Sequence, residues 1–314
     1  MYDLLIIGGG PGGVAAGIYA ARKKIKAVLV TDTFGGQSLV STDVQNWVGT
    51  KSVSGFDLGK MLEEHLRAQE DIEIVDSDVV VSVKDEAPPS RDASAGEGKF
   101  IVTTKNGKML ESKYLLIASG SRRRKLGVTG EHELDGKGVA YCSTCDAPLF
   151  KGKTVAVVGG GNSGLEAVGD LLPYAAKIYL LERGERPKGD PVTLERIQKS
   201  EKFSLLTNMQ VREIFGDAFV KGLKYADTKS GEMKELAVEG VFVEIGAVPN
   251  SEFVKNLVAL NKFGEIVVDH KTQRTSHPRI WAVGDVSDVR YKQNNISAGD
   301  AVKGILNIYE EIQK

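Results

Sequence analysis

The stretch DLLIIGGGPGGVAAGIYAARK, residues 3–23, decides the fold. Asp3 to Ile7 reads as a buried strand, and the small residues after the glycines read as a helix to about Arg22. Between them Gly8, Gly10 and Gly13 fit the spacing G-x-G-x-x-G. Without side chains, these positions let the chain turn tightly and let backbone approach a pyrophosphate at the helix N-terminus. A second strand, KAVLVT, then ends at Asp32, nineteen residues after Gly13. A carboxylate there is placed to meet a ribose hydroxyl pair.

The same plan recurs, its glycines 151 residues later, in KTVAVVGGGNSGLEAVGDLLP, residues 153–173. Thr154 to Val158 is the strand, Gly159, Gly161 and Gly164 the turn, and Pro173 stops the helix. The strand AKIYLLE ends at Glu182, eighteen residues after Gly164. One glycine-rich turn is weak evidence. Strand, turn, helix, strand and terminal acid occurring twice in one order imply two dinucleotide-binding domains.

The rest of the chain narrows the class by exclusion. Its 314 residues suffice for two domains, and 41% hydrophobic with 26% charged residues suits a globular protein. A formal net charge of -1 gives no field to attract nucleic acid or an anionic membrane. No apolar run reaches the length of a membrane span. The opening lacks the basic leader of a secretory signal, so a cytoplasmic location is expected. Lys84 to Lys99, polar and rich in turn formers, reads as a hairpin loop between the strands VVVSV and FIVTT.

Cys142 and Cys145 are the only cysteines, in YCSTCDAPLF at residues 141–150. Zinc would need four ligands, and His65, His132, His270 and His277 are not paired at ligand spacing, so no metal is expected. A structural bridge across two residues would close almost no loop. A reversible redox pair is the favoured reading, with two inert thiols as the alternative. Asp146 is a natural proton donor and acceptor for the adjacent sulfur.

Taken in order, several stretches are similar to the low-molecular-weight flavoprotein thioredoxin reductases and to the flavoprotein module of alkyl hydroperoxide reductase. They are GGGPGG, FGGQ (34–37), IASG (117–120), YCSTCD, GGGNSG, GAVPN (246–250), WAVGDV (281–286) and YKQNNISAGD (291–300). The resemblance implies an α/β protein with two Rossmann-like domains of the three-layer ββα type. The nicotinamide domain, residues 119–246, would be inserted into a discontinuous FAD domain, residues 1–118 and 247–314.

FAD is then expected at Gly8, Gly10, Pro11, Gly12, Gly13, Asp32, Gly36, Gln37, Asn46, Ser119 and Gly120. Gly284, Asp285 and the run Lys292, Gln293, Asn294 would complete that site, although the family usually has Arg-Gln-Ala in this last run. NADH or NADPH is expected at Gly159, Gly161, Asn162, Ser163, Gly164, Glu182, Arg183, Lys188 and Gly246. Catalysis would fall to Cys142, Cys145 and Asp146, with Cys145 facing the flavin and Cys142 attacking the substrate disulfide. Dithiol and nicotinamide cannot share one face of the flavin. The inserted domain is therefore expected to swing about hinges near Ser119–Ser121 and Gly246–Pro249. The family is homodimeric.

ERGERPK, residues 182–188, replaces the family's common arginine-rich grip on the 2'-phosphate of NADPH. A carboxylate at the strand end suits a ribose diol and repels a phosphate. NADH, or use of both cofactors, is therefore expected. Since the chain opens at the first dinucleotide strand, a separate thioredoxin-like or glutaredoxin-like protein is the expected acceptor. Ser121 to Lys125, SRRRK, reads either as a cationic landing site for it or as a solvated loop.

Overall fold

The structure, a computed structural model, describes residues 1–41, 43–86 and 98–314. It divides into two compact units, Met1–Arg122 with Val248–Lys314, and Arg123–Ala247. The expected hairpin turn, 87–97, lies outside the described residues, but the strands that flank it pair antiparallel.

The first unit opens with β1 (Tyr2–Gly9), α1 (Pro11–Arg22) and β2 (Ala27–Phe34). Then come α2 (Gly55–Arg67), β3 (Ile72–Val75), β4 (Val80–Asp85), β5 (Phe100–Thr104) and β6 (Met109–Ile117). The parallel part of the sheet runs β3-β2-β1-β6, and β5 and β4 extend it antiparallel. The apolar run of β1 is continuous because both of its faces are covered. Leu4 and Ile6 pack with Val14 and Ile18 of α1, whereas Leu5 and Ile7 pack with Val28, Val30 and Ile266.

A short strand, β7 (Ser121–Arg123), leads into the second unit. There β8 (Val139–Ala140), α3 (Ser143–Asp146), β9 (Thr154–Val158), α4 (Asn162–Leu171) and β10 (Lys177–Glu182) precede α5 (Pro191–Gln198). After it come β11 (Phe203–Thr207), β12 (Met209–Gly216), β13 (Val220–Asp227), β14 (Met233–Ala237) and β15 (Gly240–Val243). The order β11-β10-β9-β15-β8 is wholly parallel, and β12-β13-β14 form a separate antiparallel sheet. Val155 and Val157 of β9 face Leu165, Val168 and Leu171 of α4. Ala156 and Val158 face Val211, Ile214, Leu223 and Tyr225 of the small sheet. Sheet, sheet and helices thus make the three layers of this unit.

The chain returns through β16 (Ala247–Pro249), which pairs with β7, then β17 (Ile280–Ala282) and α6 (Asn294–Ile312). β17 adds to β6 beside Leu115 to Ile117, and Ala301, Ile305 and Ile308 of α6 join the core with α1. The boundaries differ by a few residues from those expected at 118/119 and 246/247. The Ser119 hydroxyl donates to the Asn250 carbonyl (2.7 Å) and the Asn250 amide to the Ser119 carbonyl (2.8 Å), so the segment through Arg122 stays with the first unit. Arg124 N–H donates to the Gly246 carbonyl, which keeps Ala247 with the second.

Candidate active site

Both glycine turns are built alike. Gly8 and Gly159 have φ of +116° and +117°, a region that L side chains rarely adopt. A Cβ on Gly13 or Gly164 would lie 1.8 Å from the carbonyl oxygen of Gly8 or Gly159. These four positions are glycine because the turn itself requires it. The middle glycines are different. A Cβ on Gly161 would meet nothing within 4 Å, and one on Gly10 would find only Gly36 Cα at 3.8 Å. Nothing within the fold demands glycine there, and that open space above each helix start is where a pyrophosphate fits.

The helix ends agree. α2 and α5 carry their own side-chain caps, Ser54 and Asp190, which accept from Asp57 N–H (3.0 Å) and Thr193 N–H (2.8 Å). α1 and α4 begin at Gly10 and Gly161 with no side-chain cap. Their first-turn N–H groups are left for an anion. Gly161→Ala is therefore expected to leave the melting temperature unchanged within about 2 °C, while raising KM for the nicotinamide at least about tenfold. Thermal melts and initial rates check both halves. Gly164→Ala should instead destabilise the second unit.

In the first unit some of the residues expected at FAD lie together at the start of α1. Gly36 abuts Gly10, since a Cβ on Gly36 would lie 3.3 Å from Gly10 Cα. Pro11 is the first residue of α1, and a Cβ on Gly12 would lie 3.2 Å from the Ser297 carbonyl oxygen. Gly284 (φ +67°) faces the Ser297 hydroxyl, which a Cβ would approach to 2.7 Å. Asp285 follows it, half-buried in a 3-10 turn. Asn46 Nδ2 donates to Gln293 Oε1 (3.3 Å). Asn295, which is not among the residues expected at the site, donates to the Asn46 carbonyl (2.7 Å) and accepts from Val48 N–H (3.4 Å).

Asp32 and Gln37 are exposed, and Asn294 is the half-buried first residue of α6. β2 runs two residues past Asp32, to Phe34. Gly120 (φ +65°) leaves a Cβ no neighbour within 4 Å. The Lys292 ammonium pairs with Glu265 (3.0 Å) and donates to the carbonyls of Asp285 and Ser287. It braces the Gly284–Asp285 turn.

In the second unit Glu182 closes the nicotinamide turn. One carboxylate oxygen accepts from Gly160 N–H (2.8 Å) and the other from Gly184 N–H (2.6 Å). Lys188 and Gly189 N–H donate to the Gly160 carbonyl, and Asp190 N–H to Asn162 Oδ1 (2.8 Å). The segment 187–190 is thereby laid against the turn. Ser163 is exposed in the first turn of α4, and the side chains of Arg183 and Lys188 are at least partly exposed. Gly246 (φ +100°) lies beside Arg124.

Cys142 and Cys145 are joined as a disulfide, their Cα atoms 5.4 Å apart, and both are half-buried. Cys142 precedes α3, and Asp146 N–H donates to its carbonyl (3.0 Å). The turn is anchored from α4, where Asp170 accepts from the hydroxyls of Ser143 (2.8 Å) and Thr144 (3.1 Å). Next to Cys142, the Tyr141 hydroxyl donates to the buried Glu131 (2.9 Å), and burial with that carboxylate raises the tyrosine's pKa far above the ordinary phenol range.

Two of the four cations of SRRRK are engaged. Arg122 pairs with Glu252 (2.6 Å), and Lys125 pairs with Asp135 (2.9 Å) and sits over the Tyr141 ring. Among the described residues no group of His, Cys, Asp and Glu could hold a metal ion, and no helix is long and apolar enough to cross a membrane.

The chain resembles known proteins over its full length. "NADH dehydrogenase" of Bacillus subtilis is 39% identical over 309 residues, 98% of this chain and 58% of that protein. The F component of the alkyl hydroperoxide reductase of Pseudomonas aeruginosa is 40% identical over 312 residues, 99% of this chain and 58% of the relative. The chain thus spans somewhat over half the length of these curated relatives. The crystal structure of thioredoxin reductase from Streptococcus pyogenes superposes with a TM-score of 0.88 at 30% identity, covering 100% of this chain and 98% of that one. The pattern of the family described as pyridine nucleotide-disulphide oxidoreductase matches residues 2–301. The chain therefore belongs to the pyridine nucleotide-disulphide oxidoreductase family.

Proposed function

We propose that the chain reduces the disulfide of a thioredoxin-like protein at the expense of NADH, through FAD and the Cys142–Cys145 pair. The carrying observation is the disulfide itself: the chain's only two cysteines are bonded to each other, half-buried, in the unit that also holds the second glycine turn. A bound FAD would supply two-electron chemistry, matching the hydride of a nicotinamide to a disulfide, which needs two electrons. Gly8 to Gly13 with Gly36, Gly284 and Ser297 would hold FAD, and Gly159 to Gly164 with Glu182 the nicotinamide.

Opening the Cys142–Cys145 bond leaves one thiol and one thiolate. In our reading the Cys142 thiolate attacks the partner disulfide to give a mixed disulfide, and Cys145 displaces the partner by attacking the Cys142 sulfur. Asp146, next to Cys145 at the end of α3, carries the proton between these states. A coupled assay with NADH, the protein and thioredoxin-like or glutaredoxin-like acceptors tests the assignment; no turnover with any of them would overturn it. The similarity to an alkyl hydroperoxide reductase component favours a second acceptor system, a small dithiol protein that feeds a peroxiredoxin. The cytoplasm is the proposed location and a homodimer the proposed assembly.

Glu182 underlies the choice of NADH. Its carboxylate is fixed by two backbone N–H groups and cannot swing away from a 2'-phosphate. A like charge about 4 Å away could cost up to about 4 kcal/mol at an effective dielectric of about 20, and the nearby cations Arg183, Arg186 and Lys188 offset part of it. The expected kcat/KM ratio for NADH over NADPH is at least about tenfold, within that electrostatic limit. Initial rates with both cofactors measure it, and a preference for NADPH would refute the role given to Glu182.

A further inference from the structure

We infer that Asp170 is a positioning residue for the dithiol: it holds the two side chains between the cysteines, keeps the turn folded when the disulfide opens, and so sets how readily the pair is reduced. This role rests on the redox reading of the Cys142–Cys145 pair. Ser143 and Thr144 are the residues between the two sulfurs, and both hydroxyls donate to the same oxygen of Asp170, Oδ2, at 2.8 Å and 3.1 Å. Ser143 is 7% exposed, so the shorter bond is shielded from water, whereas Thr144 is exposed. The turn has little else to hold it. α3 is a single turn, with backbone bonds from Asp146 N–H to the Cys142 carbonyl and from Ala147 N–H to that of Ser143. Cys142, at its N-cap, makes no side-chain capping bond. A helix this short does not persist unaided, since fixing its dihedrals costs more than so few backbone bonds return.

α4 carries Asp170 at a cost. The residue stands one position before the end of the helix, where free carbonyls already concentrate negative charge, and no basic residue of the last turn offsets it. Glu166 lies four residues earlier, a like-charge spacing that weakens a helix. The two hydroxyls are the partners the fold gives this carboxylate in return. In the oxidised enzyme the S–S bond itself holds the Cα atoms of Cys142 and Cys145 5.4 Å apart. Reduction by a dithiol breaks that bond: two electrons and two protons turn the sulfurs into thiols, and Asp170 is then the tie from outside that keeps the turn in place. A dithiol held this way gives up less freedom when it closes again, because much of the ordering is already done. Closure is favoured, and the reduced pair is the stronger reductant for it. The same preorganisation speeds the step in which Cys145 attacks the Cys142 sulfur of the mixed disulfide, a reaction between neighbours on one turn.

The test is the midpoint potential of Cys142–Cys145 in the holoenzyme, read by alkylating the thiols after equilibration with dithiothreitol buffers. One dithiothreitol closes to its cyclic disulfide for each enzyme disulfide opened. Asp170→Ala should make the disulfide easier to reduce by about tenfold in equilibrium constant, about 30 mV for a two-electron couple. Ser143→Ala with Thr144→Val removes the hydroxyls, leaves the carboxylate, and should shift the potential as far. Combining all three substitutions should add less than about threefold, since both ends of one set of bonds are then gone. Asp170→Asn keeps an accepting oxygen and should stay within about threefold of wild type. An equilibrium constant unchanged in Asp170→Ala, with or without a lower melting temperature, would make Asp170 a structural contact and overturn its role, leaving the redox reading intact. So would an Asp170→Asn shift as large as that of Asp170→Ala, because charge and not the hydroxyl bonds would then be acting. A disulfide that no thiol buffer opens would overturn both. Should Asp170→Ala fail to fold, the Ser143→Ala, Thr144→Val variant decides: an equilibrium constant within about threefold of wild type would refute the proposal.

Discussion

Cys142→Ser is expected to lower turnover with a disulfide acceptor by at least about a thousandfold, the scale of losing a nucleophile from a catalytic unit. Reduction of the bound flavin by NADH should be untouched. The two halves separate because the nicotinamide turn and the disulfide turn rest on different residues of the second unit. Glu182, Gly160 and Gly184 build one. Cys142, Ser143, Thr144 and Asp170 build the other. Stopped-flow absorbance reads flavin reduction and a coupled assay reads turnover. Cys145→Ser should behave differently: its remaining thiol can attack the acceptor but nothing resolves the mixed disulfide. Incubation with the reactive acceptor should then give a covalent adduct that dithiothreitol releases. Turnover retained in Cys142→Ser, or an adduct with Cys142→Ser in place of Cys145→Ser, would break the proposed order of sulfurs.

Asp85→Ala should destabilise the first unit by about 3–5 kcal/mol, the usual consequence of stripping one partner from a buried ion pair. Asp85 accepts from Arg279 (2.6 Å) and bonds His277 Nε2 (3.0 Å), and all three side chains are 7–8% exposed. Arg279 N–H donates to His277 Nδ1, and the guanidinium stacks over Phe100. Removing the carboxylate leaves a buried guanidinium with no counter-charge on this side. A fall of about 10 °C in the first unit's melting temperature is expected, and a shift under about 3 °C would show that water compensates.

The same cluster sets a pH dependence. Burial, aided by Arg279, lowers the His277 pKa below 6.5 despite Asp85. The unfolded chain therefore takes a proton at His277 as pH falls through about 6.5, where the folded chain resists it. Stability contributed here is present above that pH and is lost below it. His277→Gln should flatten that part of the stability profile, measured by urea unfolding between about pH 5 and 8.

Much of the scaffold is legible in the chain because it is local. Strand, glycine turn and helix occupy consecutive residues, and Thr154–Val158 forms the strand that its apolar run implies. What escapes the sequence is long-range. Nothing near Asp170 in the chain says that its carboxylate will reach Ser143 and Thr144, earlier in the sequence, because that contact exists only once α4 lies beside α3. Asn295 and Ser297 belong to the YKQNNISAGD motif, yet their partners at Asn46 and Gly12 come from the opposite end of the chain. Lys292 and the SRRRK cations look free in sequence because a carboxylate such as Glu265, Glu252 or Asp135 announces no partner. The small sheet β12–β14 has strands of eight, eight and five residues but no glycine motif of the dinucleotide kind to announce it.

The nesting of one unit within the other fixes an order of events on the ribosome. Strands β1 to β6 emerge first, but β17 and α6, which complete their sheet and cover α1, are encoded beyond the whole insert. At about 5–20 residues per second, on the order of ten seconds separates the two halves. During that wait the apolar face of α1 and β1 has no α6 to bury it, whereas every strand of the insert's two sheets lies between Arg123 and Ala247. The sulfur-bearing unit can therefore finish folding while its host is still open, which makes the nascent N-terminal half the part most in need of a chaperone.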